Sequence, residues 1–271
     1  MKWHPSCKSQ YVKSFTTIVL LVLGAAVSSQ AAPSPLDDMI GRTNDQVSRF
    51  VEQFSDVKCT EHVIQEKFKP DGKLELKEES TYDYLVILTN AGGEVSLDES
   101  RLALHETKKE QKKNLSMLVS NGFATLFLVF HPYYSSGFQF SDLGEDSLDG
   151  HKFHKVQFKH IPGMRSPAAL ALRGREYPLD LAGVAWIDPE TGVIAKIEAG
   201  LENNMEDIGL KSMRSQVEFS PVPFKGAKDT YWFPSRASVE VETPRQHWRN
   251  THNFTDYKRF SVSTEEKVAE K

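Results

Sequence analysis

A chain of 271 residues with 33 basic and 37 acidic side chains carries a formal charge of −4. That balance argues against nucleic acid as a partner, because neutralising phosphates needs a basic face. The length suits one large domain or two small ones, and two cysteines, Cys7 and Cys59, exclude a disulfide-framework fold.

The first element in the chain is the apolar run FTTIVLLVLGAAV at 15–27. Lys2, Lys8 and Lys13 precede it, no acid occurs before Asp37, and Ser29-Gln30-Ala31 satisfies the small-x-small rule of a signal peptidase. The run is shorter than the roughly 20 apolar residues that span a bilayer. The expectation is a signal peptide over residues 1–31, cleaved near Ala31, and a single exported domain over 32–271, periplasmic or secreted. The leader carries three lysines and no acid, so its loss takes the charge from −4 to −7. Cys59 is then alone and no intramolecular disulfide can form. Its segment CTEHVIQEKF has no Gly-rich or helix-start context to lower a thiol pKa, so Cys59 reads as core.

Residues 36–56 begin with acids and place Ile40, Val47, Phe50, Val51 and Phe54 at near-helical spacing, which predicts an amphipathic helix. The period then changes to that of strands. Segments 59–69 and 73–79 flank the turn Pro70-Asp71-Gly72, and 81–89 follows. KKEQKK at 108–113 reads as a solvated face. LSMLVSNGFATLFLVF at 115–130 is apolar nearly all round and predicts a helix buried on most sides, with a strand as the alternative for ATLFLVF.

From 138 on, alternation predicts antiparallel sheet: 138–140, 151–161, 180–188, 193–201, 212–220, 237–243 and 247–262. Pro189-Glu190-Thr191-Gly192 is a hairpin turn with Gly192 at a left-handed position. The fold class is therefore α+β: one strongly curved antiparallel sheet of about nine to eleven strands, an incomplete barrel, enclosing one or two helices.

Catalytic machinery is not legible. His151 and His154, like His247 and His252, fall on opposite faces of a strand, and no HExxH, CxxC or carboxylate cluster accompanies them. No GxSxG elbow or phosphate-cradling Gly loop is present. No catalytic residue, metal ligand or cofactor is expected, and Glu240 and Glu242 read as a wet strand face. In RQHWRN, Trp248 between Arg245 and Arg249 suits a membrane surface or an exposed basic strand. The aromatics either form ordinary core or line an apolar cavity able to take an acyl chain. The candidate lining residues are Phe123, Leu126, Phe127 and Phe130 on the apolar segment, with Trp186 and Trp232 on strands.

The order of signal peptide, helix 36–56, long meander, apolar insert, the hairpin WIDPETGVIAKIE and the late pair around YWFPSRASVEVE resembles the LolA/LolB-like fold. That fold is the one of periplasmic lipoprotein carriers, and RseB-type envelope-stress sensors and mycobacterial lipid-binding lipoproteins share it. AWIDPETGVIAKIEAGL and YWFPSRASVEVETPRQHWRNTHNFTDYKRF also look like segments of exported bacterial proteins of this superfamily. The resemblance covers about residues 36–262. It implies a hydrophobic cavity in an incomplete barrel, closed by helices, holding acyl chains without a cofactor. The chain departs from a minimal carrier in its longer 108–113 and 162–180 stretches, and Arg42, Arg101 and Arg214 compete for the carriers' cavity arginine. The leading expectation is a monomeric, non-enzymatic protein that binds a lipid or lipid-modified protein, with a membrane surface as a further partner. An envelope sensor or interaction module without cargo is the alternative, and an unrecognised hydrolase the third.

Overall fold

Helix α1 (Pro35–Phe54) starts where its first turn is chemically closed. Ser34 Oγ accepts from the Asp37 amide at 3.1 Å and the Asp37 carboxylate accepts from the Ser34 amide at 3.1 Å. This reciprocal capping box satisfies amides that would otherwise be orphaned, and Pro35 occupies the first helical position, where its missing N–H costs nothing. Met39, Val47, Phe50 and Val51 form the buried stripe. The computed structural model describes residues 34–54, 57–91, 94–104, 123–172, 175–224 and 230–259. The expected leader 1–31, the lysine run 108–113 and the first half of the apolar insert, 115–122, lie outside the described residues.

Twelve strands follow α1: β1 (Val57–Phe68), β2 (Leu74–Ala91), β3 (Glu94–Ala103), β4 (Phe138–Leu148), β5 (His151–His160), β6 (Ala169–Leu172), β7 (Arg175–Pro178), β8 (Leu181–Ile187), β9 (Ile194–Leu201), β10 (Ser212–Val222), β11 (Tyr231–Glu242) and β12 (His247–Arg259). Ten of them make one curved antiparallel sheet in the order β3-β2-β1-β12-β11-β10-β9-β8-β5-β4, and β6 and β7 form a separate ribbon. The fold class expected from alternation is the one observed. The sheet is open, with β3 and β4 as its two ends.

Most neighbours are consecutive hairpins, but β12 pairs with both β1 and β11 and so joins the first strands to the last. From one end strand to the other, the described chain passes through a 3-10 segment (Phe123–Phe130) and a short helix α2 (Pro132–Ser135). These lie against the covered face. Tyr134 Oη donates to the Val95 carbonyl at 2.9 Å, which ties α2 back to β3.

Two sequence expectations are revised. Segments 73–79 and 81–89 are one continuous strand, β2, and the β3 it pairs with was not anticipated. The apolar segment 123–130 is helical, as expected over the strand alternative, and its helix is of the 3-10 type. It ends because Pro132 pushes His131 into an extended conformation (φ −72°, ψ 138°), and His131 then caps α2. The turn at Gly192 is as expected, with φ +74°. A Cβ there would also stand 2.6–2.7 Å from the backbone of Arg42 and Thr43, so the hairpin seats directly on α1.

The core lies between the sheet and these helical elements. Phe127, 1% exposed, meets Phe50 of α1 edge-on at 4.5 Å and Phe219 of β10 at 6.3 Å. Truncation of a phenylalanine this enclosed leaves a cavity. Phe127→Ala is expected to lower unfolding free energy by about 3–5 kcal/mol in urea titrations, with the strand signal of the folded state unchanged.

Candidate functional site

Two regions of the covered face differ in chemistry. The first is aromatic. Phe50, Phe127, Phe219 and Phe233 pack on one another beneath α1, with ring centroids 4.5–6.3 Å apart. Phe130 stacks on Phe140 at 5.3 Å and meets Phe158 edge-on at 5.9 Å. In a 3-10 helix residues three apart share a face, which sets Phe127 and Phe130 in line, one toward β10 and the other toward β4 and β5.

Of the six residues expected to line a cavity, Leu126, Phe127 and Phe130 are buried together in the main core. Phe123 opens the same segment, and only its backbone is described. Trp186 does not join them. It belongs to a second cluster with Phe153 and Ala195, its Nε1 donates to Asp146 at 3.0 Å, and the Lys155 and Lys196 ammoniums stand 5.3 and 4.8 Å from its ring centroid. Strand alternation puts Ala185 and Ile187 into the main core and therefore turns Trp186 to the other face. Trp232 packs against both clusters. Beside Phe50, Phe127, Phe219 and Trp232 the open volume is only about 30 Å³, far below the roughly 300 Å³ of the smallest ligand pockets. In this state that part of the interior is filled by the protein's own rings.

The second region is charged. Glu61 lies on β1 among Val57, Cys59 and Val63, on the face that is otherwise core, and is fully buried. Arg101 of β3 grips it with Nε at 2.6 Å and Nη2 at 2.9 Å, and the same Nη2 is 2.9 Å from Glu99. His252 of β12 bonds Glu61 through Nδ1 at 2.7 Å. Burial opposes ionisation of Glu61, but the bonds from His252 and Arg101 outweigh it and hold the carboxyl below its ordinary value. Burial also works against the Arg101 charge, and Glu61 and Glu99 more than offset it, so the guanidinium is held still more firmly protonated. Arg101 lies 5.1 Å from the centre of the Tyr84 ring. The Tyr84 Oη is buried with no hydrogen-bond partner among the described residues. Burial pushes the Cys59 thiol up to about 12, which fits the expectation of a core cysteine.

Sequence inspection offered Arg101 as one of three candidates for a cavity arginine but did not place Glu61 or His252 beside it. Glu61 sits inside an alternating strand, and its in-phase position with Cys59 and Val63 was the available signal.

No group of three or more metal-ligating side chains occurs among the described residues. His160 is bonded to Asp180 at 2.8 Å and to the Met164 and Arg165 carbonyls, pinning the 162–180 segment that carries the β6–β7 ribbon. His247 pairs with Glu240, and Glu242 with Lys211, each at 2.6 Å. Arg249 of the RQHWRN segment is bonded to Glu66 at 2.9 Å.

No protein-family model and no curated protein sequence matches the chain. Among solved structures it is similar to a DUF1329 family protein from Desulfovibrio piger, at 11% identity and a TM-score of 0.41 over 84% of this chain and 95% of that one. It is also similar to a domain from Vibrio parahaemolyticus named for outer membrane lipoprotein sorting, at 13% identity and a TM-score of 0.38 over 84% and 94%. A third is the lipoprotein LppX of Mycobacterium tuberculosis, at 10% identity and a TM-score of 0.23 over 84% and 98%.

A carboxylate whose folded pKa is depressed adds stability above its unfolded pKa of about 4.3, and that stability is lost as pH falls through the folded value. The melting temperature is therefore expected to fall on acidification below about pH 4, and Glu61→Gln should flatten that acid limb. Arg101→Ala strands Glu61 without its main partner and is expected to cost about 3–5 kcal/mol at neutral pH. The Cys59 thiol should react with a maleimide only at the rate of unfolding.

Proposed function

We propose that the protein is an exported, monomeric, non-enzymatic carrier that holds an acyl chain, of a lipid or of a lipid-modified polypeptide, between its curved sheet and the pair formed by α1 and the 3-10 segment. One observation supports this above the others: the interface between sheet and helical elements is built of phenylalanine rings and aliphatic side chains. Arg42 Nε donates to the Pro189 carbonyl at 3.1 Å, and the Asn44 amide, in the orientation that satisfies both its atoms, donates to the Phe130 carbonyl at 2.7 Å and ties α1 to the 3-10 segment. The ladders of the ten-stranded sheet are complete without α1. The helix can therefore separate from the sheet without breaking a strand pairing, and an acyl chain can replace ring contacts by contacts of the same apolar kind.

Magnitudes set how this happens. Exposing a buried phenylalanine costs about 1.5–3 kcal/mol, so opening the cluster around Phe127 while empty costs on the order of 10 kcal/mol. An empty open state is negligibly populated, and uptake proceeds with the chain already in contact with the protein.

The reading as a cargo-free sensor or interaction module draws on one fact, the mere 30 Å³ of open volume beside Phe127. Titration with a BODIPY-labelled monoacylglycerol separates the two. The carrier is expected to bind it saturably at one per chain, with slow uptake, and to release it to unlabelled monoacylglycerol. Failure of the folded protein to bind this probe, together with co-purification of a stoichiometric protein partner, would favour the sensor.

A further inference from the structure

We propose that a second cavity, a cleft where β5, β9, β10 and β11 end, is the mouth of the acyl site and takes a single-chain amphiphile with an uncharged, hydroxyl-bearing head. This inference rests on the acyl-carrier reading above. The cleft measures about 940 Å³, at the upper end of the roughly 300–1,000 Å³ of small-molecule sites. Its apolar wall is formed by Phe153, Val193, Ala195, Phe219, Pro221 and Trp232. Two of these, Phe219 and Trp232, also line the narrow gap beside Phe50 and Phe127. Phe219 and Trp232 are therefore walls common to the cleft and to the gap beside Phe127.

The two rings differ in how they are held. Phe219 is buried and held edge-on by both Phe50 and Phe127. Trp232 is half-buried and belongs to neither cluster alone, since it packs against the main core and against Phe153, Trp186 and Ala195. Rotation of Trp232 exchanges one apolar surface for another, at a cost far below that of lifting α1. An alkyl chain lying on the cleft wall then meets Phe127 next.

The rim chooses the head. Its ionic groups are three carboxylates, Asp149, Asp188 and Glu218, against two lysines, Lys152 and Lys196, beside His151. Lys196 is bound to Glu198 at 2.6 Å, and Lys152 lies 3.6 Å from Glu145. A phosphate or carboxylate head would meet more negative than positive charge. Hydroxyls are better placed to serve an uncharged head. Thr191 Oγ1 accepts from the Val193 amide and keeps its proton to donate, while Ser235 Oγ donates to the Glu218 carbonyl and keeps its lone pairs to accept.

Quenching of tryptophan emission by dodecyl maltoside brominated on its alkyl chain tests the site below the micelle concentration. Bound probe is expected to quench the wild-type protein, Trp232→Phe to lose at least half of the quench, and Trp248→Phe to keep it. Thr230→Trp, at an exposed rim position, is expected to weaken binding at least tenfold without lowering the melting temperature. Equal quench in Trp232→Phe and wild type, with monoacylglycerol still bound, would place the mouth elsewhere and leave the carrier reading intact. Dodecyl phosphate competing more tightly than dodecyl maltoside would overturn the head assignment. Absence of binding of both the brominated probe and monoacylglycerol to the wild type would remove the carrier reading, and this site with it.

Discussion

Phe127 meeting Phe50 edge-on is the contact on which the rest of the structure depends. An open sheet has one face to cover, and of the helical elements in the described chain α1 and the 3-10 segment cover its middle. Neither is stable alone: eight residues of 3-10 helix have poor hydrogen-bond geometry, and α1 gains its stability from one apolar stripe. Joined through these two rings and pressed on Phe219 and Phe233, they fill the middle of the sheet with a solid aromatic wedge. The hairpin at Gly192 completes the arrangement, because α1 passes so close that no side chain fits there. The sheet supplies rigidity, and the wedge decides whether its covered face is filled or available.

The charged end of the same face has a different role. Burying Glu61 and Arg101 is expensive, and well-packed apolar side chains would stabilise the fold at least as well. What the cluster adds is register. Glu61, Arg101 and His252 come from β1, β3 and β12, which are brought together by β2 and by the β12–β1 pairing. A one-residue slip of any of these strands would turn a charge toward the aromatic core or strand its partner. The long strands β1, β2 and β12 would otherwise pair in several frames with similar apolar burial.

Much of the fold was legible because strand alternation and turn chemistry are local. Gly72 and Gly192 marked the hairpins, and alternation from 212 to 220 marked β10, whose Met213, Val217 and Phe219 lie in the main core. The 3-10 type of the helix at 123–130 was not legible, since a continuous apolar run has no period with which to tell α from 3-10. Trp186 and Phe127 look alike as candidate lining residues, yet the phase of β8 sends Trp186 to the opposite face, and composition does not carry phase. Glu61 escaped notice because a carboxylate in a strand reads as solvated until Arg101, 40 residues on, is placed beside it.

The open ends of the sheet bear on the proposed carriage as well as on unwanted strand pairing. A ten-stranded antiparallel sheet that closed on itself would fix its interior volume, whereas one with free ends can widen. Free ends are also templates for unwanted strand pairing. At β4 this is countered by a bulge between Asp142 and Glu145, with Gly144 at φ +86°, and by a row of acids through Asp146. The bulge bends the end strand and the acids repel a second copy. An incomplete barrel protected in this way stays adjustable without becoming adhesive, and adjustability is what a filled aromatic interior needs if it is to admit a chain.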